Sequence, residues 1–271
     1  MMKRERHLWE LRISDRRIPL VEAEMAVELM KKLDMGTIKL PKLKGNPMNQ
    51  LNERSLAIPI PRRMRHLPIA ENGYVVPWFV TRGDDGSYDF RAADMRKYKR
   101  AVHQKLCWLC GQTLGRHLAF VIGPMCVVNR VTSEPPSHLE CAEYGVKACP
   151  FLSQPRMRRN AKGIAEMLES GEVIAPPGEH LDRNPGACAI YITLTYSAFP
   201  VGQGKAGFLI RLGEPKRIDY YREGRPATRA EVLESIDSGM PLLRKMVLAD
   251  AAANKELDSQ YQRALQLLPA A

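Results

Sequence analysis

Apolar residues at positions 21–33 (VEAEMAVELMKKL) recur at helical spacing, and Lys31 and Lys32 stand where a helix dipole favours cations. The pattern predicts a helix there. Residues 35–65 follow with Gly36, Pro41, Gly45, Pro47, Pro59 and Pro61 among many lysines and arginines. That mixture predicts a basic linker or arm with little regular structure, with order beginning near Leu67. The run 74–81 (YVVPWFVT) predicts a strand that Pro77 bends or confines to an edge. Asp84-Asp85-Gly86 is a turn signal, and a second short strand over 87–91 completes a hairpin. Helical spacing returns over 92–106, with many basic side chains.

Beyond position 160 the pattern predicts a short helix over 163–170, a Pro/Gly-rich loop over 175–186, and strands over 187–196, 207–211 and 217–221. Thr228 and Glu231 have capping-box spacing, which places a helix start there. That helix is expected to end near Ser238-Gly239, with Pro241 opening another. Leu257, Tyr261, Leu265 and Leu268 form an apolar stripe on the last helix, read as core packing. Strands and helices in this order give an α+β fold. The sequence divides into a basic N-terminal extension (1–62), a cysteine-bearing domain (63–160) and an α+β C-terminal region (161–271).

The chemistry concentrates between positions 107 and 149, which hold five of the six cysteines. Cys107-Trp108-Leu109-Cys110-Gly111 lets two sulfurs reach one ion, and the glycine permits a tight backbone after them. A hairpin is expected next: residues 117–122, the turn Gly123-Pro124, then 125–130. Ser137 and Glu140 have capping-box spacing, so His138 and Cys141 fall in a helix's first turn, three residues apart and on one face. The positive end of a helix also favours thiolate. These four residues are the candidate ligands of one zinc ion. Cys126 and Cys149 are possible substitutes, but Cys149 stands about two turns, roughly 10 Å, beyond Cys141. A redox Cys-x-x-Cys should open a helix, and here Gly111 and a hairpin follow instead. His103 and His117 read as structural histidines.

A knuckle, a hairpin and two ligands at a helix start resemble the treble-clef zinc fold, through Cys107, Cys110, His138 and Cys141. The resemblance covers about forty residues and implies a structural Zn2+ site. Treble clefs serve nucleic-acid binding, protein docking and HNH nucleases. The nuclease variety needs a paired general-base histidine on the hairpin, where this chain offers only His117 after Arg116. Three cysteines and one histidine fill a four-coordinate ion, a closed arrangement that supplies folding energy rather than water activation. This argues against an enzyme built on that metal. The 63–160 region is also similar in general look to bacterial and phage proteins, a likeness that implies no activity.

The chain has 271 residues, 45% of them hydrophobic, enough for one large domain or two small ones. No apolar run approaches the ~18–20 residues of a membrane span. Residues 1–17 are charged and lack an apolar secretory core, so a cytoplasmic protein is expected. A net charge of +11 predicts attraction to polyanions. Arg116, Arg130, Lys147, Arg156, Arg158 and Arg159 surround the cysteine cluster as candidate phosphate contacts for DNA or RNA, with Trp108 and Tyr144 as stacking candidates. A protein-interaction adaptor is the alternative, with Glu134–Ser137 and Pro150-Phe151-Leu152 as contacts. Gly202-Gln203-Gly204 is a lone turn and no dinucleotide fingerprint. No Gly-x-Ser-x-Gly elbow is present.

Overall fold

All six residues of Cys188–Thr193 are buried, and strand alternation sends the first five into two different cores. Ala189 and Tyr191 join Phe120, Ile210, Val232 and Ile236 on one side. Cys188, Ile190 and Ile192 join Ala119, Ala142 and Val146 on the other. A strand covered on both faces needs a continuous apolar run, and CAIYIT supplies one.

The computed structural model of the chain describes residues 11–13, 16–18, 50–83, 85–154, 157–158, 160, 173–174, 183–201, 207–247 and 250–270. The chain divides into two units, Met1–Met48 and Asn49–Ala271. In the first, β1 (Leu11–Ile13) pairs antiparallel with β2 (Arg16–Ile18). The second begins with α1 (Glu53–Leu56), a single 3-10 turn at Arg62–Met64, and the hairpin of β3 (Val80–Arg82) and β4 (Tyr88–Asp94). Next come α2 (Met95–Gln104), β5 (Leu118–Ile122), α3 (Pro124–Asn129), β6 (Val131–Thr132), α4 (Leu139–Ala148) and α5 (Pro150–Ser153). The remainder comprises β7 (Val173–Ile174), β8 (Cys188–Thr193), β9 (Tyr196–Pro200), β10 (Phe208–Leu212), β11 (Pro215–Arg222) and β12 (Arg225–Pro226), then α6 (Arg229–Val247) and α7 (Ala251–Leu265).

The central sheet runs β12-β11-β8-β5, antiparallel throughout, with Phe120 opposite Tyr191 in the β5–β8 pair. Helices α3, α6 and α7 cover one face, and α4 with α5 the other. Two smaller antiparallel sheets, β6-β10-β9 and β3-β4-β7, complete a mixed α+β molecule.

The expected strand over 125–130 is instead helix α3. Gly123 serves as its N-cap and Pro124 sits in its first turn, where the missing N–H costs nothing. Val127 and Val128 are buried in the main core, and Arg130, at φ 54°, ends the helix in the left-handed region. A short apolar run carries no decisive period, so burial against α6 and α7 selects the helix. The partner of β5 is accordingly β8, not residues 125–130. The break expected at Ser238-Gly239 is also absent, because α6 continues through it with Pro241 inside. Gly239 is a packing residue: a Cβ there would lie 2.6 Å from Met125 Sδ. The strand expected over 74–81 shrinks to Val80–Arg82, since around Pro77 the backbone bonds elsewhere, Trp78 N–H to Leu109 at 2.8 Å. The expected strand over 187–196 is two, β8 and β9.

Residues 50–65 are not an unstructured arm. Met64 is 1% exposed, and Leu51, Ile58 and Ile60 pack with it against the cysteine cluster. The capping box at the start of α6 forms: Thr228 N–H donates to Glu231 at 2.9 Å and Glu231 N–H to Thr228 Oγ1 at 3.4 Å. The expected helices over 21–33 and 163–170 lie outside the described residues, as does most of the 175–186 loop.

Candidate metal centre

Residues 106–113 fold back on themselves because Cys107 N–H reaches the Gln112 carbonyl at 2.7 Å and Gly111 N–H the Cys107 carbonyl at 2.8 Å. Gly111 makes the turn with φ +74°, and a Cβ there would stand 2.6 Å from the Trp78 indole. Only glycine satisfies both the dihedral and the contact. An antiparallel bridge between Leu106 and Thr113 closes the base of this knuckle.

The other two donors come from the start of α4. His138 is its N-cap, with φ −67° and ψ 149°, and makes no side-chain capping bond. The Ser137–Glu140 capping box therefore does not form; the imidazole is turned toward the sulfurs instead. Ser137 exchanges two backbone bonds with Ala119 of β5, at 2.7 and 3.0 Å, which seats the helix start on the central sheet. Ala142 and Val146, on a different face of the helix from Cys141, Tyr144 and Ala148, are buried against β8. The sheet thus fixes the helix, and the helix fixes two donors.

The donor atoms of Cys107, Cys110, His138 and Cys141 all lie within 4.8 Å of one another, a group that can hold a metal ion. His138 Nδ1 stands 3.4 Å from Cys110 Sγ and 3.9 Å from Cys141 Sγ. Tetrahedral ligands at ~2.0–2.3 Å from one ion are separated by roughly 3.5–3.8 Å, so the donor set fits. The second imidazole nitrogen, Nε2, is 3.0 Å from the Thr113 carbonyl. A carbonyl only accepts, so Nε2 carries the proton and Nδ1 is left to bind. Backbone N–H groups of Cys110 and His138 each donate to Cys107 Sγ at 3.4 Å.

The three cysteines are 0–1% exposed and His138 is 9% exposed. Burial without a cation makes such a cluster electrostatically awkward. Hydrogen bonds from Cys110 and Cys141 hold the Cys107 thiol far below its ordinary range. Cys141, bonded to Cys107 and Cys110, is driven far above it. Hydrogen bonding to Cys107, and then to Cys110, raises His138 to about 10. The cluster thus favours a thiolate at Cys107 and a charged imidazole while opposing a second thiolate at Cys141, and a divalent cation would replace protons there.

Segment 50–75 closes the site from outside. Met64, Val75, Tyr144 and Ala148 share a core with the three cysteines. Arg63 spans the lid, the helix and the knuckle: it pairs with Glu140 at 2.9 Å and donates to the Gln112 side chain at 3.3 Å. Neither this cover nor the Thr113 carbonyl is signalled by a recognisable motif. Cys126 lies on α3, Cys149 caps the C-terminus of α4 and Cys188 opens β8; none joins the four-residue group.

The six residues expected to contact phosphate are placed differently from one another. Arg116, Lys147 and Arg158 are exposed. Arg130 is engaged with Glu214 through two hydrogen bonds, the Nη2–Oε2 one at 2.9 Å. Arg156 and Arg159 lie outside the described residues. The stacking candidates are corrected: Trp108 is 5% exposed and stacked on Phe79 at 4.6 Å, and Tyr144 is 6% exposed. Both are core residues, because the knuckle and α4 turn them inward. Among the described residues, no helix is long and apolar enough to cross a membrane. Compared with protein-family models, with curated proteins and with solved structures, the sequence finds no match in any of the three.

Proposed function

We propose that Cys107, Cys110, His138 and Cys141 hold one structural zinc ion, and that the protein so stabilised associates with nucleic acid through its basic surface. The observation that carries the first part is the convergence of three buried sulfurs and one imidazole nitrogen within 4.8 Å. Sulfur-rich tetrahedral sets favour zinc over the oxygen-seeking cations, and a reducing compartment would keep such thiols available. The reading keeps the knuckle and helix-borne ligands of the treble clef and departs from it between them, where α3 stands in place of a second hairpin strand. Four protein donors leave no position for a water, so the ion's role is to hold the lid, knuckle and α4 together.

Support for the second part is the +11 charge together with the cations around the knuckle. Lys99, Arg100, Lys105 and Arg116 are exposed along α2 and both ends of the knuckle. About four phosphate contacts would give a slope of about −3 to −4 in log K against log salt on duplex DNA. A titration of the zinc-loaded chain with DNA and RNA, between 50 and 200 mM salt (about the range over which such contacts weaken), tests this. A steep salt dependence is expected. Salt-insensitive binding to a protein, with no nucleic-acid binding, would replace this reading with the adaptor.

A further inference from the structure

A cleft of ≈ 580 Å³ opens beside the knuckle, within the ~300–1,000 Å³ of small-molecule sites. Its walls divide by chemistry. Lys105 immediately precedes the knuckle and Arg116 follows it by three residues, with His103 on the last turn of α2. Tyr196 of β9 and Phe208 of β10, with Leu114, Leu118 and Leu194, form the apolar side. No aspartate or glutamate is among the described lining residues. Lys105 and Arg116 are exposed, and neither has an ion-pair partner among the described residues.

We propose that this cleft takes one nucleotide unit, its phosphate on Lys105 and Arg116 and its base against Phe208, Tyr196 and His103. The inference rests on the nucleic-acid reading above and gives it a location. An ordinary solvated basic face has no aromatic floor; here the two are joined in one concavity. The rings are held in place: His103 meets Phe208 edge-on at 5.4 Å, and Tyr196 meets Phe120 edge-on at 5.8 Å. Fixed aromatic rings are what an unstacked base requires, since every base presents a π-face and stacking is tolerant of sequence. The backbone leading into and out of the knuckle is fixed as well. Lys105 ends α2 at φ 52°, its carbonyl accepts from Leu114 N–H at 3.0 Å, and the Leu106–Thr113 bridge fixes the distance between the knuckle's ends. A metal ion in the knuckle would therefore keep this wall of the cleft closed without touching the ligand.

Calorimetric titration of the zinc-loaded full chain tests the assignment, with AMP, inorganic phosphate and a single-stranded oligonucleotide as separate probes. AMP and the oligonucleotide should both bind, and phosphate alone should bind about tenfold more weakly or worse. The double variant Lys105→Gly/Arg116→Ala should weaken AMP about tenfold or more, the glycine preserving the positive φ. Lys216→Ala/Lys255→Ala removes the same charge from exposed positions elsewhere and should leave AMP binding unchanged. Arg116→Ala alone, on an exposed side chain, repeats the test if the double variant loses its fold, with about fivefold weakening expected. Oligonucleotide binding that is unaffected by the cleft variants, with no AMP binding, would overturn the cleft and leave the broader reading intact. AMP binding without oligonucleotide binding would overturn the broader reading and leave a mononucleotide site. Phosphate bound as tightly as AMP would remove the base from the proposal, and binding of no probe would overturn both.

Discussion

Gly111 and His138 do the most at the scale of single residues. Gly111 combines φ +74° with an indole 2.6 Å from where a Cβ would be. Gly111→Ala should therefore destabilise the chain by about 2–4 kcal/mol and weaken metal retention, through left-handed strain plus displacement of Trp78. Chemical denaturation, with zinc content measured in parallel, checks this. His138 is raised to about 10 by the Cys107 sulfur, so in the metal-free form it is protonated at neutral pH. The sign follows from that direction: its contribution to the metal-free fold is complete below its ordinary value near 6.5 and is lost as pH rises through about 10. Metal uptake near pH 7 must then expel the imidazole proton and the Cys141 thiol proton. Calorimetry in buffers of different ionisation enthalpy should report release of about two protons or more, and affinity should fall as pH falls.

Elements explain why some of this was legible beforehand and some was not. The four donors could be read because a Cys-x-x-Cys-Gly turn and a His-x-x-Cys helix start are local constraints, each set by a few neighbouring residues. Helix α3 could not, because Met125-Cys126-Val127-Val128 is apolar under either period and only the packing of Val127 and Val128 decides. The cover formed by residues 50–67 was hidden for a different reason: Leu51, Ile58, Ile60 and Met64 are spaced irregularly among prolines and arginines. Element order also predicts where metal loss is felt. The core around Phe120, Tyr191, Val232 and Ile236 contains no donor, whereas the Met64–Val75–Tyr144 cluster contains three. In hydrogen exchange, chelation should deprotect the knuckle amides of Cys107 and Gly111 and the first turn of α4 well before β8. Equal loss of protection in β8 would mean that the ion supports the whole fold.

For the whole unit Asn49–Ala271, the central sheet acts as a platform with different work on its two faces. One face is sealed by α3, α6 and α7; the other carries α4, whose N-terminus delivers His138 and Cys141 to the knuckle. The same knuckle brings Lys105 and Arg116 to the rim of the aromatic cleft. The candidate metal centre, the packing of its cover and the basic wall of the cleft thus meet at one eight-residue turn, 106–113, and depend on its being closed. Metal analysis of the purified wild-type chain beside Cys141→Ala tests that dependence most directly. About one zinc per wild-type chain, lost in the variant together with stability, is the predicted result. A wild-type chain that is fully folded and metal-free, and stays so when zinc is supplied, would contradict it.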